Sequence, residues 1–176
     1  MKRTDLNYSF YYNTLFLLVS SGRCDLTTLS ILATESYFTS SARRCYEYFG
    51  WSLLRMLNNP NSDNISIGFA QIKVSLWRRF GMFTSRNSIL TCLMRFSSIY
   101  NNYDLCQRLV YSFSVESLDD VSLLQLYCGR LRHYYFQVYL NNKSFIASIL
   151  DDVNKNKHNP MCNYLAKDQI IDVKNG

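Results

Sequence analysis

Glycine and proline are scarce in this chain, at six and two among 176 residues. That scarcity excludes collagen-like and linker-dominated sequences, which are built from those residues. Long apolar runs are missing too. The longest, Leu15-Phe16-Leu17-Leu18-Val19, stops far short of the ~20 residues that cross a bilayer. No Cys-x-x-Cys pair occurs, and the two histidines, His133 and His158, stand far apart. A structural zinc site needs four ligands, usually paired at short spacing, so no metal or other cofactor is expected.

Apolar residues make up 48% of the chain and include 14 Tyr, 11 Phe and 2 Trp. Such a content can fill a core, whereas disordered chains bury too little to offset the entropy of ordering. The length suits one domain. Nineteen Lys and Arg against thirteen Asp and Glu give a net charge of +6, which favours anionic partners without naming one. The six cysteines, Cys24, Cys45, Cys92, Cys106, Cys128 and Cys162, fall mostly on apolar helical phases, where free thiols act as small hydrophobes. They are expected to be reduced and mostly buried, although an even count leaves disulfides open. Lys2-Arg3 ahead of the 15–19 run only faintly resembles a signal peptide. Asp5, Asn7, Ser9 and Asn13 interrupt the stretch, so the reading is of a first helix made in the cytoplasm without a clear export signal.

The helical period recurs along nearly the whole chain. Tyr8, Tyr11, Tyr12, Leu15, Leu18 and Val19 share one face, and Leu26 to Ala33 follows with Asp25 as the expected N-cap. Cys45, Phe49, Leu53 and Met56 predict the apolar face of a third helix over 43–57, ended by the Asn- and Pro-rich loop 58–64. Phe69, Ile72, Leu76 and Phe80 predict a fourth helix. A fifth is expected around Ile89–Tyr100 and a sixth around Leu105–Phe113. Ser117-Leu118-Asp119-Asp120 has the pattern of a capping box before a seventh. Leu131 to Val153 predicts a last long helix with a break at Asn141-Asn142. Period-2 strand patterns and repeats are absent. The expectation is a mainly α fold of about eight helices over 1–154, followed by a polar tail over 155–176.

Glu35 is the chemically unusual residue, an acid closing the run Leu32-Ala33-Thr34. Burial among such neighbours disfavours the carboxylate, as a general acid working near neutral pH requires. The plainer reading is a partly exposed Glu at a helix end, or one paired with Arg43 or Arg44.

Leu32-Ala33-Thr34-Glu35-Ser36-Tyr37-Phe38 resembles the helix of lytic transglycosylases and related muramidases that ends in a catalytic Glu-Ser. Ser66-Ile67-Gly68-Phe69-Ala70-Gln71-Ile72 is similar to that family's Gly-Leu-Met-Gln-Ile, with Phe-Ala in place of Leu-Met. Leu126-Tyr127-Cys128-Gly129 resembles its Ala-Tyr-Asn-x-Gly, with Cys128 in place of Asn. The resemblance covers roughly residues 10 to 140 and implies a lysozyme-like fold acting on peptidoglycan glycan strands. It implies Glu35 as the catalytic acid and base, with Ser66, Gln71 and Tyr127 against the sugar, and action at the cell wall or periplasm after export. The catalytic acid would protonate the glycosidic oxygen as an oxocarbenium-like transition state forms. Asp63 and Glu47 are the nearest candidates for a second carboxylate, though transglycosylases act with one. Lys73, Arg78 and Arg79 are candidate contacts for lactyl or peptide carboxylates.

A weaker resemblance is to the glycosyltransferase domains of penicillin-binding proteins, through Glu35, Tyr46-Glu47-Tyr48-Phe49-Gly50, Ser66 and Gln71. Ser36 stands where that family has Asp, and its Arg-Lys-x-x-Glu is missing. The alternative of another class is a non-catalytic basic helical binder of nucleic acid or protein, using Arg43-Arg44, Arg78-Arg79 and Arg130-Leu131-Arg132-His133. No binding signature accompanies these patches, so nucleic acid is the less favoured partner.

Overall fold

The computed structural model describes residues 5–37, 41–113 and 133–156. Seven α-helices make up most of them: α1 (Asp5–Ser20), α2 (Leu26–Tyr37), α3 (Ser41–Met56), α4 (Val74–Arg79), α5 (Ile89–Ser97), α6 (Ile99–Phe113) and α7 (His133–Asn156). A short 3-10 helix (Pro60–Asn64) and a two-stranded antiparallel hairpin, β1 (Ser66–Ile67) with β2 (Ile72–Lys73), lie between α3 and α4. The fold is mainly α, as the periodicity predicts.

Local chemistry sets the boundaries. Asp25 caps α2 as expected, its Oδ2 accepting the Thr28 N–H at 2.9 Å and the Thr28 hydroxyl at 2.6 Å. Ser88 caps α5 by accepting the Thr91 N–H at 3.2 Å. Asn59 opens the 3-10 helix ahead of Pro60, accepting the Asn61 N–H at 2.9 Å. Arg23, in the turn after α1, reaches α6 with two bonds to Asp104 at 2.7 and 2.8 Å.

The core has two centres. Helix α7 lies against α1 and α2, and α2 also packs on α6. There Leu15, Leu18, Leu29, Ile31, Ile146 and Ile149 are buried. The second centre surrounds Phe96, whose ring meets Trp51 at 4.9 Å and both Trp77 and Phe83 at 5.3 Å, all edge to face. Such pairs add to area burial because the positive ring edge meets the negative face.

Four expectations need correction. The fourth helix does not begin at Phe69. Residues 66–73 form the hairpin, and only Val74–Arg79 is helical, because Gly68 and Gln71 take left-handed φ of 85° and 50°. Helix α7 runs unbroken through Asn141-Asn142, since Asn142 is buried and donates its Nδ2 to Thr34 Oγ1 at 3.2 Å. The face of α3 read as buried is in water: Cys45, Phe49, Leu53 and Met56 are all exposed. Arg44, Tyr48 and Trp51 turn inward instead. Finally, Cys92 and Cys106 are buried free thiols, but Cys24 and Cys45 are free and exposed. Cys128, Cys162, the capping box at 117–120 and the tail from 157 lie outside the described residues.

Candidate active site

Glu35 sits in the last turn of α2 and is half-buried. The buried Arg44 of α3, 8% exposed, feels the Glu35 charge, the weakest of those acting on it. Its Nη1 donates to the Gly68 carbonyl, and its guanidinium lies 5.1 Å from the centre of the Phe69 ring. Burial lowers the Arg44 pKa, and the charges of Glu47, Tyr48 and Glu35 oppose that shift. A cation taken out of water is costly unless anions and acceptors surround it, and for Arg44 the Gly68 carbonyl is the acceptor while the acids act through their charge.

The hairpin supplies the rest. Gln71 donates its Nε2 to Glu47 Oε2 and to the Gly68 carbonyl, each at 3.1 Å. Glu47 Oε1 lies 3.5 Å from Arg43 Nε. Asn102 of α6 fixes the turn from below: its Oδ1 accepts the Ala70 N–H at 3.1 Å, while its Nδ2 donates to the Phe96 and Ser98 carbonyls at 2.7 and 2.8 Å. Gly68 is required there. A Cβ would come within 2.5 Å of Asn102 Oδ1 and 2.8 Å of the Phe96 carbonyl, at a φ that side chains resist.

Of the residues singled out from the sequence, Gln71 bonds the Gly68 carbonyl that Arg44 also bonds, and the Glu35 charge acts on that arginine. Ser66 is half-buried on β1, paired with Lys73 across the hairpin. Tyr127 lies outside the described residues. The two candidates for a second carboxylate separate cleanly. Glu47 joins Gln71, whereas Asp63 pairs with Arg78 at 3.0 Å in a polar cleft of about 250 Å³ lined also by Arg55, Asn58 and Ser62. Lys73 and Arg79 are exposed. No group of three or more metal-ligating side chains occurs among the described residues.

No protein-family model, curated protein or solved structure matches the chain.

Arg44 and Asn102 organise this locus, and neither was singled out for that role from the sequence. In the sequence Arg44 is a candidate partner of Glu35 and half of a basic patch, not an organiser of the hairpin turn. The signal lay in its spacing, since Arg44, Tyr48, Trp51 and Arg55 also share a helix face. Asn102 carried none, because a buried asparagine in a polar run looks like its exposed neighbours. Next to the site lies an apolar cavity of about 250 Å³ between α1 and α2, walled by Leu15, Leu29, Leu32, Ala33 and Ile146. Phe69 borders both, touching the cavity and Arg44.

Proposed function

We propose that this chain cleaves peptidoglycan glycan strands, as a lytic transglycosylase or muramidase, with Glu35 as general acid and base. The supporting observation is that Arg44 and Gln71 both bond the Gly68 carbonyl, Gln71 also bonds Glu47, and the Glu35 charge acts on Arg44, which relates two motifs distant in sequence. Glycosidic cleavage needs a carboxylic acid to protonate the leaving oxygen. A second carboxylate, where used, stabilises the oxocarbenium face or activates water. Glu35 takes the first role and Glu47 is the candidate for the second. Gln71 and Ser66 would hydrogen-bond sugar hydroxyl or N-acetyl groups, and Tyr127 would join them from the segment outside the described residues. The cell wall or periplasm, reached by export, is the site of action this reading requires.

Digestion of purified peptidoglycan with mass spectrometry of the soluble muropeptides tests the reading. Glu35→Gln keeps the volume and a hydrogen bond but cannot deliver a proton, so its rate should fall on the order of 100–10,000-fold. Anhydro-muramyl ends with a tolerant Glu47→Gln would identify single-carboxylate transglycosylation. Reducing ends with an inactive Glu47→Gln would identify hydrolysis by the pair. A wild type that releases nothing, or a Glu35→Gln variant as fast as wild type, overturns the assignment.

A further inference from the structure

Helix α3 presents its most hydrophobic side chains to water. Tyr46 is 76% exposed, Phe49 66%, Leu53 46%, Met56 69%, and Leu57, just past the helix end, 68%. Their spacings of three and four residues set them in one stripe, opposite the buried Arg44 and Trp51. From Tyr46 to Leu57 the stripe runs about 17 Å. It leaves on the order of 500 Å² of apolar surface in water, near the upper end of what monomeric proteins show.

The stretch of chain that holds it carries charge of one sign in excess. Residues 41–97 hold eight Lys and Arg against two acids, Glu47 and Asp63. The whole surplus of six therefore lies in this stretch, and the remainder, eleven basic against eleven acidic, is neutral. Both acids are ion-paired, Glu47 with Arg43 and Asp63 with Arg78. Arg43, Lys73, Arg79 and Arg86 are exposed.

We propose that α3 is an interfacial helix that docks this protein on a bilayer rich in anionic lipid. A helix with one apolar face and cationic flanks lies in the headgroup plane, its apolar side chains inserted and its Arg and Lys on lipid phosphates. This is docking rather than crossing: no helix among the described residues is long and apolar enough to span a membrane. A second copy fits less well. Two stretches of +6 would repel, and the stripe is smaller than the roughly 800 Å² per partner that stable interfaces bury. Lipid needs no shape complementarity, only apolar side chains and positive charge together. The inference stands apart from the proposed cleavage, since none of the stripe residues belongs to the Glu35 site.

The test is co-sedimentation of the full chain with phosphatidylcholine vesicles, with and without phosphatidylglycerol. Partition should be at least about tenfold stronger on the anionic vesicles and fall several-fold in roughly 0.5 M salt. A Phe49→Ser, Met56→Ser double variant should lose about tenfold or more in partition. Both residues are exposed, so the fold should persist, which unchanged emission from the buried Trp51 and Trp77 would report. Partition equal on both vesicle types, or equal for the double variant and wild type, overturns the proposal. So does a wild type that ignores vesicles but forms dimers that the double variant dissolves, or that is captured instead by an acidic protein through the stripe.

Discussion

Tyr103 shows how one buried hydroxyl ties elements together and makes stability depend on pH. Its ring is 1% exposed, and its oxygen accepts the Asp25 N–H at 2.9 Å and the Gln107 Nε2 at 3.3 Å. Burial pushes its pKa up to about 12 from an ordinary 10, against the smaller opposing effect of the Asp25 N–H. The folded state therefore holds the phenol proton more tightly than the unfolded chain. The resulting stabilisation is fully present below about pH 10 and is lost as pH rises toward about 12. Tyr48 is shifted in the same direction by burial and adds to that loss. In urea titrations across this range, Tyr103→Phe should flatten the alkaline decline and cost about 1 kcal/mol near neutrality through the lost hydrogen bonds. An alkaline limb as steep in the variant as in wild type would show that Tyr103 does not carry it. Little of this is legible in the sequence, where Tyr103 is one of 14 tyrosines in a polar run. Asp25 was legible as a cap because a short-range rule governs caps. The reach of Arg44 to Gly68, or of Tyr103 to Asp25, depends on where distant helices come together.

At the scale of elements, the hairpin that carries Gln71 is held by α6 rather than by its own pairing. Two residues per strand give few ladder bonds, and isolated hairpins are marginal in water. Asn102 supplies what the ladder lacks, with one bond accepted and two donated, all short. Asn102→Ala should cost about 2–3 kcal/mol, since it strands the buried Ala70 N–H and removes the side-chain donor to the Phe96 carbonyl. The same change should release Gln71 from Glu47, so that the proposed cleavage activity should fall more steeply than the folded fraction measured by circular dichroism. Activity that tracks folding alone would limit Asn102 to a structural part. Periodicity located nearly every helix, because three- and four-residue spacing is a local property. It failed for the phase of α3, where Cys45, Phe49, Leu53 and Met56 form as regular a stripe as a core face would. A core and a docking surface share the same pattern, and only the packing of Trp51 on Phe96 decides which side is inward. It failed again at 66–73, where Phe69 and Ile72 keep helical spacing while two left-handed residues turn the chain back.

For the molecule as a whole, α7 closes the half of the core that holds Glu35. It buries Tyr139, Ile146, Ile149 and Val153 against α1 and α2, and Asn142 bonds to Thr34 one residue before Glu35. Truncating a single large buried side chain costs about 2–5 kcal/mol, so losing four of them is of the same size as the 5–15 kcal/mol that holds most domains folded. A chain ending at residue 132 should therefore not unfold cooperatively. The two tryptophans extend the test across the molecule, because both lie in the second core centre, around Phe96. That centre is joined to the first through Arg44 on the Gly68 carbonyl, Asn102 under the hairpin, and α6, which touches α2. If those joints make one cooperative unit, tryptophan emission and helical circular dichroism should report the same urea midpoint in the full chain. Removal of α7 should then red-shift the emission of tryptophans it does not cover. A truncated chain that keeps buried-type emission and its own sharp transition would mean that the Phe96 centre folds without α7.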